Sequence, residues 1–135
     1  MATNSHIGYQ DEGGEFHVIY CHWDGYTSHN GKILFENYKN LTKVKRLISL
    51  GNLSVLAPSI STFAKNKHTF DAPVKGVCVF YGRDRGETKN QAVRYVSEAQ
   101  LRRCTGNHVY IFKDDKWYKL SHTGFVLLEE LLIPA

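Results

Sequence analysis
Tyr20-Cys21-His22-Trp23-Asp24-Gly25-Tyr26 sets a thiol, an imidazole, a carboxylate and three aromatic rings around a single glycine. His22 and Asp24, with His29 five residues further on, supply nitrogen and oxygen donors that could ligate a transition metal or act as acid and base. Loop His and Asp residues more often serve as turn and capping groups, and Asp24-Gly25 is a common turn pair, so neither a metal nor a cofactor is expected. Cys21 and His22 are neighbours on extended backbone. Their side chains point to opposite faces there, which argues against a nucleophile–base couple, and no catalytic residue is assigned. Cys21 is expected to pack inward. Trp23 and Tyr26, with Tyr20 behind them, could form an aromatic wall for a base, a sugar or a partner side chain. Tyr20 reads as core cover, and Trp23, flanked by polar residues, as the exposed ring.

A second group with chemical character is Tyr81-Gly82-Arg83-Asp84-Arg85-Gly86-Glu87. On extended backbone Arg83 and Arg85 point the same way, and the flanking glycines allow close approach of a ligand. Guanidinium forks of this kind suit phosphate or carboxylate. The competing reading is an internal Arg–Asp–Glu ion-pair turn. The glycine spacing matches neither a Walker loop nor a dinucleotide fingerprint. The candidate ligand-binding residues are therefore His22, Trp23, Asp24, Tyr26, His29, Arg83 and Arg85.

The elements that must hold these residues follow from periodicity. Ile7–Gln10 and Glu15–Cys21 flank the turn signal Asp11-Glu12-Gly13-Gly14 and read as a hairpin. Phe16, Val18 and Tyr20 share one face, His17, Ile19 and Cys21 the other. Both faces are partly apolar, which makes the second strand a central one. Lys32–Tyr38 predicts a short helix. Thr42 is the expected N-cap of a second, with Val44, Leu47 and Ile48 as its apolar stripe and Gly51 as its stop. Asn52–Pro73 loses periodicity and reads as a long irregular excursion. Val77–Tyr81 predicts a core strand, Ser97 a helix cap, and His108–Phe112 with Lys116–Leu120 a second hairpin. Thr123 or Gly124 opens a last amphipathic segment to Ile133. The expected fold is one α+β domain over residues 1–135, with an antiparallel or mixed sheet built from hairpins and two to four short helices on it.

Composition narrows the function classes. A chain of 135 residues can bury one core unaided, and its net charge of +4 is compatible with anionic partners without demanding them. Cys21, Cys78 and Cys104 are odd in number and scattered, the usage of reduced thiols. No apolar run approaches the roughly 20 residues of a membrane span, and the N-terminus lacks the charged and apolar regions of a signal peptide. A cytosolic location without membrane contact is expected. The basic residues form no long stripe interleaved with aromatics, so nucleic acid is not the favoured partner.

Several strings in the chain resemble a group of short, poorly characterised proteins of bacteriophages, prophages and other mobile elements. They are Ser5-His6-Ile7-Gly8, Ile19-Tyr20-Cys21-His22-Trp23-Asp24-Gly25-Tyr26, Gly31-Lys32-Ile33-Leu34 with Tyr38, Leu47 to Ser54, His68-Thr69-Phe70-Asp71, and Tyr81-Gly82-Arg83-Asp84-Arg85-Gly86. The likeness covers roughly two-thirds of the chain and is least distinctive from Val96 onward. It implies an accessory protein acting in the host cell cytoplasm, and brings neither a reaction nor residue roles with it. The expectation is a non-enzymatic binding protein that interferes with a bacterial host system such as defence. It would engage a host protein or a small nucleotide-type anion through residues 20–30 and 81–87. Its oligomeric state is open. The rival expectation is a small hydrolase of nucleotides or nucleic acid, metal-dependent or acid/base, that uses His22, Asp24 and His29.

Overall fold
In the computed structural model, which describes residues 3–61, 68–106 and 108–132, the chain opens with the expected hairpin. β1 (Ser5–Gln10) and β2 (Phe16–Cys21) pair antiparallel, with Ser5 opposite Cys21 and Gln10 opposite Phe16. Asp11 closes the turn: its Oδ1 accepts from the Gly13 and Glu15 amides, and its Oδ2 lies 2.8 Å from His17 Nε2. A π-helical turn (Thr27–Gly31) runs straight into α1 (Lys32–Asn37). α2 (Leu41–Ser49) follows, and its cap is Asn40, whose side chain accepts from the Lys43 amide. Thr42, the expected cap, already lies inside the first turn. Gly51, with φ of 85°, ends the helix as its position predicts.

The excursion expected from Asn52 contains β3 (Leu53–Val55), a run too short to display a period. Residues 62–67 of that stretch lie outside the described residues. β4 is only Val79–Phe80, and the chain then winds into α3 (Tyr81–Arg85). β5 (Val93–Tyr95) precedes α4 (Glu98–Cys104), which Ser97 caps by accepting from the Gln100 amide. β6 (Val109–Lys113) and β7 (Lys116–Ser121) form the second hairpin. The final amphipathic segment divides into β8 (Gly124–Leu127) and α5 (Leu128–Leu132).

The result is an α+β domain with an eight-stranded mixed sheet in the order β4-β3-β2-β1-β6-β7-β8, β5 also pairing with β2. β2 is central, as its two apolar faces predict. β1 supplies one of its edges. The other is shared: β5 pairs antiparallel beside Phe16–Val18 and β3 parallel beside Cys21. The Tyr20 amide falls between these partners and donates to Asn52 Oδ1 at 2.9 Å. One face of the sheet carries Ile7, Ile19, Tyr110, Phe112 and Trp117 beneath α1, α2 and α5. The opposite face carries Phe16, Val18, Val109 and Ile111, with Tyr95 of β5, against Leu101 of α4. Because β1 and β6 run parallel, their starting ends lie at the same end of the sheet as the finish of β2 and β7. His22, Trp23, Asp24, Tyr26 and His29 follow β2 at that end, whereas Arg83 and Arg85 follow β4, which runs antiparallel to β3.

Candidate functional site
The chain leaving β2 is held before any ligand arrives. The His22 and Trp23 amides donate to the Leu53 and Ser54 carbonyls, so the strand follows β3 for two further residues. Asp24, with φ of 58°, then turns the backbone across the start of β1. Gly25 makes the crossing: its amide donates to the Thr3 carbonyl at 2.7 Å, and a Cβ there would collide with the Asn4 carbonyl. Tyr110 Oη donates to the Gly25 carbonyl at 2.7 Å from below. The key member is Asn30, which is fully buried. Its Nδ2 lies 3.1 Å from the Trp23 carbonyl, 3.3 Å from Ser5 Oγ and 3.4 Å from Cys21 Sγ. One amide thus ties the loop to both hairpin strands.

The loop's side chains divide into two groups. His22 Nδ1 lies 2.8 Å from Tyr20 Oη, and its ring stands perpendicular to Trp23 at 4.8 Å. Tyr20 in turn meets His6 edge-on at 5.7 Å. Burial holds His6 below the ordinary imidazole pKa and raises Tyr20, whose phenol also feels Tyr81. Trp23 is 45% exposed, as its polar flanks predict. In the second group Tyr26 Oη donates to Asp24 Oδ1 at 3.3 Å, and Asp24 Oδ2 lies 4.0 Å from His29 Nε2. Among the described residues no three His, Cys, Asp or Glu side chains come close enough together to hold a metal ion. His22 engages Tyr20, and Asp24 pairs with His29.

Neither described thiol is a nucleophile at neutral pH. Burial pushes Cys21 up to about 12, and it raises Cys78 beneath the Tyr38 hydroxyl.

Arg83 and Arg85 lie on the short helix α3, so the extended backbone expected for them is corrected. The cause is local. Asp84 Oδ2 accepts from the Phe80 amide at 2.8 Å and closes the first turn, while Gly86, with φ of 76°, closes the last. Arg83 turns back along β4: it donates to the Ile60 carbonyl at 2.6 Å and the Cys78 carbonyl at 2.9 Å, and it grips Asp84. Burial alone would raise Asp84, but the Arg83 and Phe80 hydrogen bonds outweigh it and hold the carboxyl below its usual range. His68 completes the cluster, with its Nε2 3.4 Å from Asp84 Oδ2. Val74 donates to His68 Nδ1, so Nε2 carries the hydrogen. This is the internal ion-pair turn, built around Arg83. Arg85 is freer. Its guanidinium lies 4.8 Å from the Phe70 ring centre and pairs with Glu87 at 3.1 Å on an exposed stretch.

The two stretches meet through Tyr20 and Tyr81. Tyr81 lies 5.7 Å from Phe70, ring centre to ring centre, and its amide donates to the carbonyl of Asn52, the residue whose side chain receives the Tyr20 amide. Contacts therefore run from Trp23 through His22 to Tyr20, and from Tyr81 through Phe70 to Arg85, with Asn52 joining the two runs. Arg83 stays with its carbonyls, and Asp24, Tyr26 and His29 form their own group. Four well-formed surface cavities are lined by other residues; of the seven candidates, Tyr26 alone borders one of them. Asn30 and Asn52 escape a sequence reading, because buried Asn carries the same signature as turn Asn. No protein-family model, curated protein or solved structure matches this chain.

Proposed function
We propose that this chain is an accessory protein of a phage or mobile element that binds a host protein, for example a component of defence, without turning over a substrate. The contact face is the aromatic tract running from Trp23 through Tyr20 and Tyr81 to Arg85. What carries this reading is the exposure of Trp23 at 45% at the rim of half-buried rings packed in two groups, Tyr20 with His22 and Tyr81 with Phe70, that Asn52 joins. Rigid aromatic anchors of this kind give large contact area at low entropic cost. A small anion held by the two arginines is less well supported, since Arg83 spends its donors on Ile60, Cys78 and Asp84. Cys21 and Cys78, buried and protonated, offer no covalent chemistry.

Native mass spectrometry of protein purified from bacterial cells tests this reading. The wild type is expected to retain one protein partner stoichiometrically, and Trp23→Ala to lose it while keeping the wild-type melting temperature. Retention of the same partner by Trp23→Ala would remove the assignment. A copurified nucleotide lost on Arg83→Ala would favour the anion reading. Turnover abolished by His22→Ala would favour a hydrolase.

A further inference from the structure
On the other side of the same loop, two adjoining clefts open at the end of the sheet, of about 620 and 730 Å³, sharing His108 and Leu131 in their walls. Volumes of this order suit small-molecule sites. The first is lined by Arg102, Lys119, Ser121 and His122, the second by Tyr26, Ser28 and Lys32. Glu36 is the single acid among their described walls. Lys119 sits at the junction. It is half-buried on β7, and its ammonium donates to Thr27 Oγ1 at 2.8 Å and to His108 Nδ1 at 3.1 Å.

Two consequences follow from donor arithmetic. A lysine ammonium has three N–H groups and no lone pair. Two of its protons are spent on neutral acceptors, and among the described residues no carboxylate pairs with it. The third proton has no hydrogen-bond acceptor among the described residues, the Tyr110 ring centre lying 5.8 Å from the ammonium. Because Nδ1 of His108 accepts, the imidazole is neutral and carries its hydrogen on Nε2, a second donor with no partner among the described residues. Burial lowers Lys119, and burial together with the Lys119 charge lowers His108, as expected of a half-desolvated cation with no counter-ion among the described residues. A cation in this state gains most from an incoming anion.

We propose that this paired cleft is a binding site for a nucleoside monophosphate-like phosphate ester. Lys119 and His108 Nε2–H hold the phosphate at the junction, while Arg102 at one end stays paired with Glu98 at 3.2 Å. Tyr26, 42% exposed, offers a ring to the base at the other. The site shares the loop with the protein-binding face but not the Trp23–Arg85 tract, so each can fail without the other.

Isothermal titration of the full chain with AMP, adenosine and inorganic phosphate tests the proposal. AMP is expected to bind, phosphate to bind more weakly at the same site, and adenosine not at all. Lys119→Met, which keeps the stem and removes the charge, is expected to weaken AMP binding at least about tenfold at an unchanged melting temperature. Should that variant fail to fold, the imidazole resonances of the wild type decide: His108 must shift on AMP addition and His17, at the far end of the β1–β2 hairpin, must not. No AMP binding at millimolar concentration, equal binding by folded Lys119→Met, or a silent His108 would overturn the site.

Discussion
At the scale of single residues, the loop after β2 depends on one buried amide more than on any of its aromatic rings. Asn30 Nδ2 faces the Trp23 carbonyl, Ser5 Oγ and Cys21 Sγ together, and its backbone amide donates to the Asp24 carbonyl. Asn30→Ala would keep the backbone and leave the Trp23 carbonyl and Ser5 hydroxyl without that partner. Deleting one member of a buried hydrogen-bond set costs about 1–3 kcal/mol, so urea unfolding should show a loss in that range. A loss well under that would mean water replaces the amide without penalty. The individual chemistry of Cys21 and Trp23 was legible in the sequence: adjacency on a strand sent the thiol inward, and polar flanks sent the indole outward. Asn30 was not legible. The same Ser-His-Asn-Gly string that begins a helix also clamps the loop, and only the fold decides which contacts its side chain makes.

At the scale of elements, long periodic segments declared themselves and short ones did not. The β1–β2 hairpin, α2 and the β6–β7 hairpin carry enough alternation or 3.6-residue spacing to be read directly. β3 and β5, three residues each, carry none, and they belong to the sheet because β2 has a free edge to fill. Tyr81–Arg85 misleads for a different reason. Its glycines look like loop punctuation, yet Asp84 and Gly86 act as helix-closing residues, and Arg83 is drawn into an internal pair instead of facing a ligand. The β6–β7 turn yields a prediction of its own. Asp114 and Asp115 have φ of 51° and 62°, the geometry of a type I′ turn, which Asn-Gly adopts with less strain. Replacing the pair by Asn-Gly should raise stability by about 1 kcal/mol in thermal unfolding. A destabilised variant would show that the aspartates make a contribution beyond turn geometry.

At the scale of the whole molecule, one end of the sheet collects groups whose protonation opposes the folded state in acid. His6 and His108 have pKa values held below the ordinary 6.5 by burial, so the unfolded chain takes up protons there that the folded chain refuses. Stability should therefore fall as pH drops through about 6.5. Asp84 acts lower: its depressed pKa contributes stability above about 3.8 that is lost as pH falls through the folded value. Acid unfolding should come in these two stages in calorimetry. His6→Phe, which also removes a buried Nδ1 with no partner among the described residues, should flatten the first stage; an unchanged slope would exclude His6 as its source. The placement of β1 has a kinetic consequence as well. The hairpin it forms with β2 can close early, but its other edge is completed only by the parallel partner β6, which the ribosome delivers far later. Until then a strand edge stands open at the centre of the future sheet. Such non-local pairing slows folding and leaves a template for another chain to join, so the nascent protein is most exposed to misassociation just before Val109–Lys113 emerges.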